Sequence, residues 1–293
     1  MTAPWGTLAF ELFLLEKWDE SSSEAPAEQR KSLIREYINL GFQGRHHYHD
    51  LVRSAEAPHP SESQISTILA PLRTPSQREM AHQREITYQN LDVNAVWLRT
   101  DYSPDSDGQH EELMSKFDVE DAVGYRHNLL NDADLYDFGN EWQRVFSVLP
   151  ELLDPAGGML DADDVNEMKE DAMNEKFPPH IEQHIANIRR NLPQERAEEE
   201  IFDITHAPVQ KAYVVNYLVI EDKQALESGK MLVVFVDDVG QVVRKNRVDG
   251  WEVDSLGGMW MQCAYDDVEP WMKGEVGVDY VVGGARGPPY SSG

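Results

Sequence analysis

Three histidines and an aspartate stand within five residues, His46-His47-Tyr48-His49-Asp50, and side chains of these types bind divalent metals. On a helix, steps of about 100° put His46, His49, Asp50 and Arg53 on one face and Tyr48, Leu51, Val52 and Ala55 on the other. Two imidazoles and a carboxylate on one face supply three ligands to zinc or another first-row metal. The same geometry is the polar side of an ordinary amphipathic helix, and Arg53 opposes a cation. A second pair, His180 and His184 in His-Ile-Glu-Gln-His, has the i, i+4 spacing that lets two imidazoles reach one metal. The glutamate that would activate a metal-bound water belongs directly after the first histidine. Ile181 stands there, and Glu182 turns onto another face. If the two histidine groups converge, His46, His49, Asp50, His180 and His184 form one metal site.

Two acidic loops carry part of a calcium-binding pattern. Asp105-Ser106-Asp107-Gly108 has alternating oxygens and a glycine, but Met114 falls where a bidentate glutamate is needed. Asp154 to Asp164 has Gly158, Leu160 and Asp164 in register, yet Pro155, Ala156 and Gly157 replace side-chain ligands. Nucleophilic chemistry has little support. Cys263 lies in the apolar run Gly-Met-Trp-Met-Gln-Cys-Ala, typical of an inert buried thiol. Ser255 is in no Gly-x-Ser-x-Gly elbow, and Gly283 to Gly287 has neither the lysine nor the following helix of a phosphate loop. Asp237 and Asp238 follow an apolar run, and strand ends often carry catalytic groups, but hairpin-turn chemistry explains this pair more cheaply.

The elements that must position these residues are mostly helical up to about residue 205. Trp5 to Trp18 is one candidate helix. Leu33, Ile34, Tyr37 and Ile38 form a second apolar stripe that should stop near Gly41. Further helices are expected over 64–72, 76–90, 110–117, 119–130, 137–153, 161–176, 179–191 and 194–202, with Pro179 suited to a first turn. Val93 to Leu98 is ambiguous between strand and helix. After Pro208 the period changes. Ala212–Ile220, Met231–Val236 and Gln241–Val248 read as strands, the last two joined by a hairpin turn at Asp237–Gly240. The unbroken apolar character of 231–236 places it in the middle of the sheet. Met259–Cys263 and Val278–Val282 are two further strand candidates, and the tail from Gly283 is expected to be disordered.

The expected fold is therefore α+β, a mainly helical N-terminal two-thirds packed against a small, mostly antiparallel C-terminal β-sheet. Its divisions are a predominantly helical region 1–206, a β-rich region 207–282 packed on it as one globular unit, and a tail 283–293.

The chain of 293 residues has a net charge of −27, and its location limits function. Residues 1–100 carry 13 acids and 10 bases, 101–206 carry 27 and 8, and 207–293 carry 13 and 8. The middle therefore holds most of the excess. Such a field repels phosphate backbones and anionic membranes, which argues against direct nucleic-acid or membrane binding, and it attracts a basic partner. A single cysteine and no Asn-x-Ser/Thr sequon fit a reducing compartment, cytoplasmic or nuclear. No apolar run is long enough to span a bilayer.

Three functions follow as expectations. The first is an acidic intracellular protein that engages a basic protein partner through helices 101–206. The second is a metal-dependent enzyme using His46, His49 and Asp50 with a divalent metal. The third is a small-molecule enzyme with a pocket between helices and sheet, suggested by Trp251, Trp260, Tyr265 and Trp271.

Overall fold

A computed structural model describes residues 3–54, 59–87, 96–116, 128–154, 179–198, 200–201, 204, 210, 213–250, 252–253, 256, 271 and 273–280. Helices α1 (Ala9–Lys17), α2 (Pro26–Asn39) and α3 (Gly41–Arg53) come first, followed by α4 (Pro75–Thr87). Strand β1 (Val96–Arg99) and helix α5 (Ser106–Met114) follow, then β2 (Leu129–Leu130) and α6 (Pro179–Asn191). The chain closes through β3 (Asn216–Glu221), α7 (Lys223–Ser228), β4 (Met231–Val236), β5 (Val242–Val248) and β6 (Glu275–Val276).

The α+β class holds, and the sheet is mixed. Its order is β2-β1-β3-β4-β5-β6, with β1 parallel to both β2 and β3 and the remaining pairs antiparallel. The expected mostly antiparallel, C-terminal sheet is corrected in this respect, since two strands come from the first half of the chain. Val96-Trp97-Leu98 is too short an apolar run to show a period, and the register with Leu218–Ile220 decides its state. Leu129–Leu130 is a strand, although the pattern predicts the end of a helix there. The helix expected over 137–153 is replaced by a turn at Gly139 (φ +54°) and two 3-10 segments, Trp142–Ser147 and Pro150–Leu153. Pro150 has no N–H to continue a helix from the first segment.

The hairpin over 231–248 forms as the pattern predicts, and β4 lies between β3 and β5. Val278–Tyr280 is a 3-10 turn. The helix candidates at 119–127 and 161–176, the strand candidate 259–263 and the tail from Gly283 lie outside the described residues.

Alternation along the strands feeds two cores. Trp97, Tyr217, Val219, Val233, Phe235 and Val243 face α5, α7 and Trp271. Val96, Leu98, Leu218, Ile220, Val234 and Val236 face α4 and the 3-10 segments. A third cluster joins α1, α2 and α3 around Phe10, Phe13, Tyr37 and Tyr48, with Ile38 touching both it and the second core. Among the described residues, no helix is long and apolar enough to cross a membrane.

Candidate functional site

Arg99 and Glu221 end two parallel strands as direct partners in register. Each is the first charged residue after an apolar run, and the strand period points both toward α5. The chain leaves β1 through α5 toward β2 on one side, and leaves β3 through α7 toward β4 on the other. Both helices cover the same face of the sheet and touch each other, so Arg99 and Glu221 lie beneath α5 at the carboxyl ends of the strands, the end at which α/β sheets bind ligands.

Glu221 is fully buried and accepts from two directions. Trp97 Nε1 donates to its Oε2 at 2.8 Å, and His110 Nδ1, on α5, lies 2.6 Å from its Oε1. Arg99 Nε is 3.9 Å from the same Oε1. The guanidinium donates to Ser106 Oγ at 2.8 Å, to Asp107 Oδ1 at 2.6 Å and to the Asp101 carbonyl at 3.1 Å, and it lies over the Tyr102 ring. Asn131, just past β2, closes the edge. Its Nδ2 is 3.0 Å from His110 Nε2 and its Oδ1 is 3.5 Å from Arg99 Nη1.

Donor and acceptor requirements point to one tautomer of His110. Arginine only donates, so Asn131 turns its oxygen to Arg99 and its amino group to His110 Nε2. That nitrogen must then carry a lone pair, and the ring proton sits on Nδ1, facing the Glu221 carboxylate. A histidine with Nδ1–H on a buried carboxylate and Nε2 facing the exposed Asn131 is equipped to accept a proton.

The first candidate cluster divides across α3. His46 is exposed, 3.6 Å from Asp50 and edge-on to Phe42. His49 points inward and is 1% exposed, with Nδ1 3.0 Å from Glu85 Oε1 and Nε2 3.3 Å from Asp154 Oδ2. Arg45, one turn earlier, donates to Asp154 Oδ1 at 2.7 Å and to the carbonyls of Ile38, Leu153 and Asp238. A carboxylate at each ring nitrogen makes His49 an imidazolium. Burial pulls its pKa down, but Asp154 and Glu85 more than offset that and push it up to about 10. Asp154 is raised by burial, and Arg45 and His49 outweigh that to hold it below the ordinary value.

His180 and His184 are exposed on α6, beside the buried Ile185 and Ile188. Among the described residues, no three His, Cys, Asp or Glu side chains are grouped to hold a metal ion. Asp107 serves Arg99, and of the second acidic loop only Asp154 is described. Asp237 holds the hairpin turn by accepting from Val239 N and Gln241 N, and takes the Tyr280 hydroxyl. Asp238 accepts from Phe42 N at the start of α3. Trp271 packs edge-on to Phe235 in the core. Trp251, Ser255, Trp260, Cys263, Tyr265 and Gly283 to Gly287 lie outside the described residues.

No family model matches the chain, and no similar protein emerged among curated sequences or solved structures.

Proposed function

We propose that the protein is an enzyme acting on a small molecule at the carboxyl ends of β1, β2 and β3, with His110 as its proton acceptor. The observation that carries this reading is the Trp97–Glu221–His110 chain of contacts, which leaves Nε2 on the side of the exposed Asn131. The Nδ1 proton stays on the Glu221 side while Nε2 takes a proton from a substrate N–H, O–H or a bound water. The resulting imidazolium is stabilised by the carboxylate already beside it. Arg99 supplies the adjacent positive charge.

The test is a ligand-observed NMR screen of small-molecule mixtures against wild type and H110A. Compounds that bind wild type, lose binding to H110A and are consumed over time support the reading. Equal behaviour of the two proteins overturns it.

A second reading is an acidic protein that engages a basic protein partner. Asp105, Asp107, Glu111 and Glu112 around α5, with Asp132, Asp134 and Asp137 beyond β2, are all exposed, which favours it. Capture of a basic protein that weakens steeply with added salt is expected, because the Debye length falls to about 3 Å at 1 M. Salt-insensitive capture counts against it.

A further inference from the structure

We infer that the ligand of this site is a small molecule with a carboxamide-type edge, an N–H donor and a C=O acceptor on one carbon, and that Asn131 holds its place. The inference rests on His110 being the reacting base. It goes further by asking what fits between His110 and Arg99 together.

Asn131 spans the two, with its amino group on His110 Nε2 at 3.0 Å and its oxygen toward Arg99 Nη1 at 3.5 Å. The groups behind it are built in: Glu221 is fully buried and Arg99 is 3% exposed, each held by other partners. Asn131 itself is exposed, and its contact with Arg99 is the longest of the hydrogen bonds that the guanidinium makes. A hydrogen bond at that distance is weak, so this arm is easily given up. A primary amide, a urea or a cyclic imide entering from solvent replaces both Asn131 contacts, and its N–H lands on the base.

Other charge types fit worse. A carboxylate sets an acceptor against the Nε2 lone pair and adds negative charge near Glu221 and Asp107. An ammonium satisfies His110 but sets a cation against Arg99. A donor beside an acceptor meets both walls at once.

Propionamide, its isostere propionate and the cation propylammonium test this, read by ¹⁵N and ¹H NMR of the His110 ring in wild type, N131A and N131S. Asn131 is exposed, so truncation leaves the fold intact, and N131S provides a second opening of the same site. Propionamide is expected to shift the His110 signals saturably in N131A, about tenfold more tightly than either charged probe and about tenfold more tightly than in wild type, the scale of one hydrogen bond. Equal or tighter binding of a charged probe, or no binding of propionamide to either variant, overturns the ligand class. The probe-free spectrum of wild type separates this from failure of the underlying reading. A proton on Nε2 removes the base itself, whereas a proton on Nδ1 with no amide preference removes only the ligand.

Discussion

Trp97 and His110 meet at one carboxylate: the indole donates to Glu221 Oε2 at 2.8 Å while His110 Nδ1 sits 2.6 Å from Oε1. The two residues lie on different elements and both donate, so a group that offers one acceptor and one donor cannot satisfy the pair. Glu221→Gln therefore propagates. The indole only donates, so the substituted amide keeps its oxygen toward Trp97 and turns its amino group to His110. Nδ1 must then accept, the proton moves to Nε2, and the Asn131 amino group faces a donor. The expected outcome is reversal of the His110 tautomer in ¹⁵N spectra, with a loss of about 1–3 kcal/mol for the broken contact. An unchanged tautomer in E221Q refutes the assignment.

Arg99 and Asp107 form a close ion pair of unequal partners, since Arg99 is 3% exposed and Asp107 is 85% exposed. Asp107→Ala is expected to have a small, salt-sensitive effect, because solvent screens the carboxylate. Arg99→Met leaves Glu221 buried without its neighbouring cation and is expected to cost about 3–5 kcal/mol. Urea midpoints at constant m-value compare the two. Equal losses mean that the exposed carboxylate, not the buried guanidinium, organises the site.

His49 gives a pH dependence whose sign follows from its two carboxylates. Its folded pKa, about 10, lies above the ordinary 6.5, so its contribution is fully present below about pH 6.5 and is lost as pH rises toward 10. Asp154 is shifted the other way, so its contribution is lost as pH falls through the carboxylate range. The stability difference between wild type and His49→Gln should therefore shrink between pH 6.5 and 10, measured by urea unfolding at each pH. A difference that grows with pH contradicts the imidazolium. His46→Ala removes an exposed ring and should stay within about 0.5 kcal/mol of wild type.

The residues legible in the sequence were those decided locally. The hairpin over 231–248 followed from a continuous apolar run, turn residues and an alternating partner. Pro179 marked the start of α6. The histidine cluster was visible by spacing, but a helical wheel cannot say which edge of its polar face meets the protein. His49 lies one step from Tyr48, and that placed it inside, against Glu85 and Asp154. The site residues come from separate stretches of the chain, Trp97, Arg99 and His110 from one, Asn131 and Glu221 from two others. The parallel pairings of β1 with β2 and with β3 unite them, and no short motif encodes those pairings. The one local signal was a charge closing each apolar run, at Arg99 and at Glu221.

Gly41 joins α2 to α3 with φ +63°, and a Cβ added there would stand 2.8 Å from Asp238 Oδ2. That oxygen accepts from Phe42 N at 2.7 Å, while the Asp238 carbonyl accepts from Arg45. Gly41→Ala therefore meets two separable costs, the left-handed backbone and the crowding of Asp238. The single variant should lose about 1–3 kcal/mol. Asp238→Ala removes the crowding atom together with the Phe42 contact, so the double variant should be more stable than the sum of the single effects predicts. Adjacent residues that share a partner depart from additivity in this way by about 0.5 kcal/mol or more. A double-mutant cycle in urea measures the difference, and strict additivity means that the backbone conformation alone requires glycine at this joint.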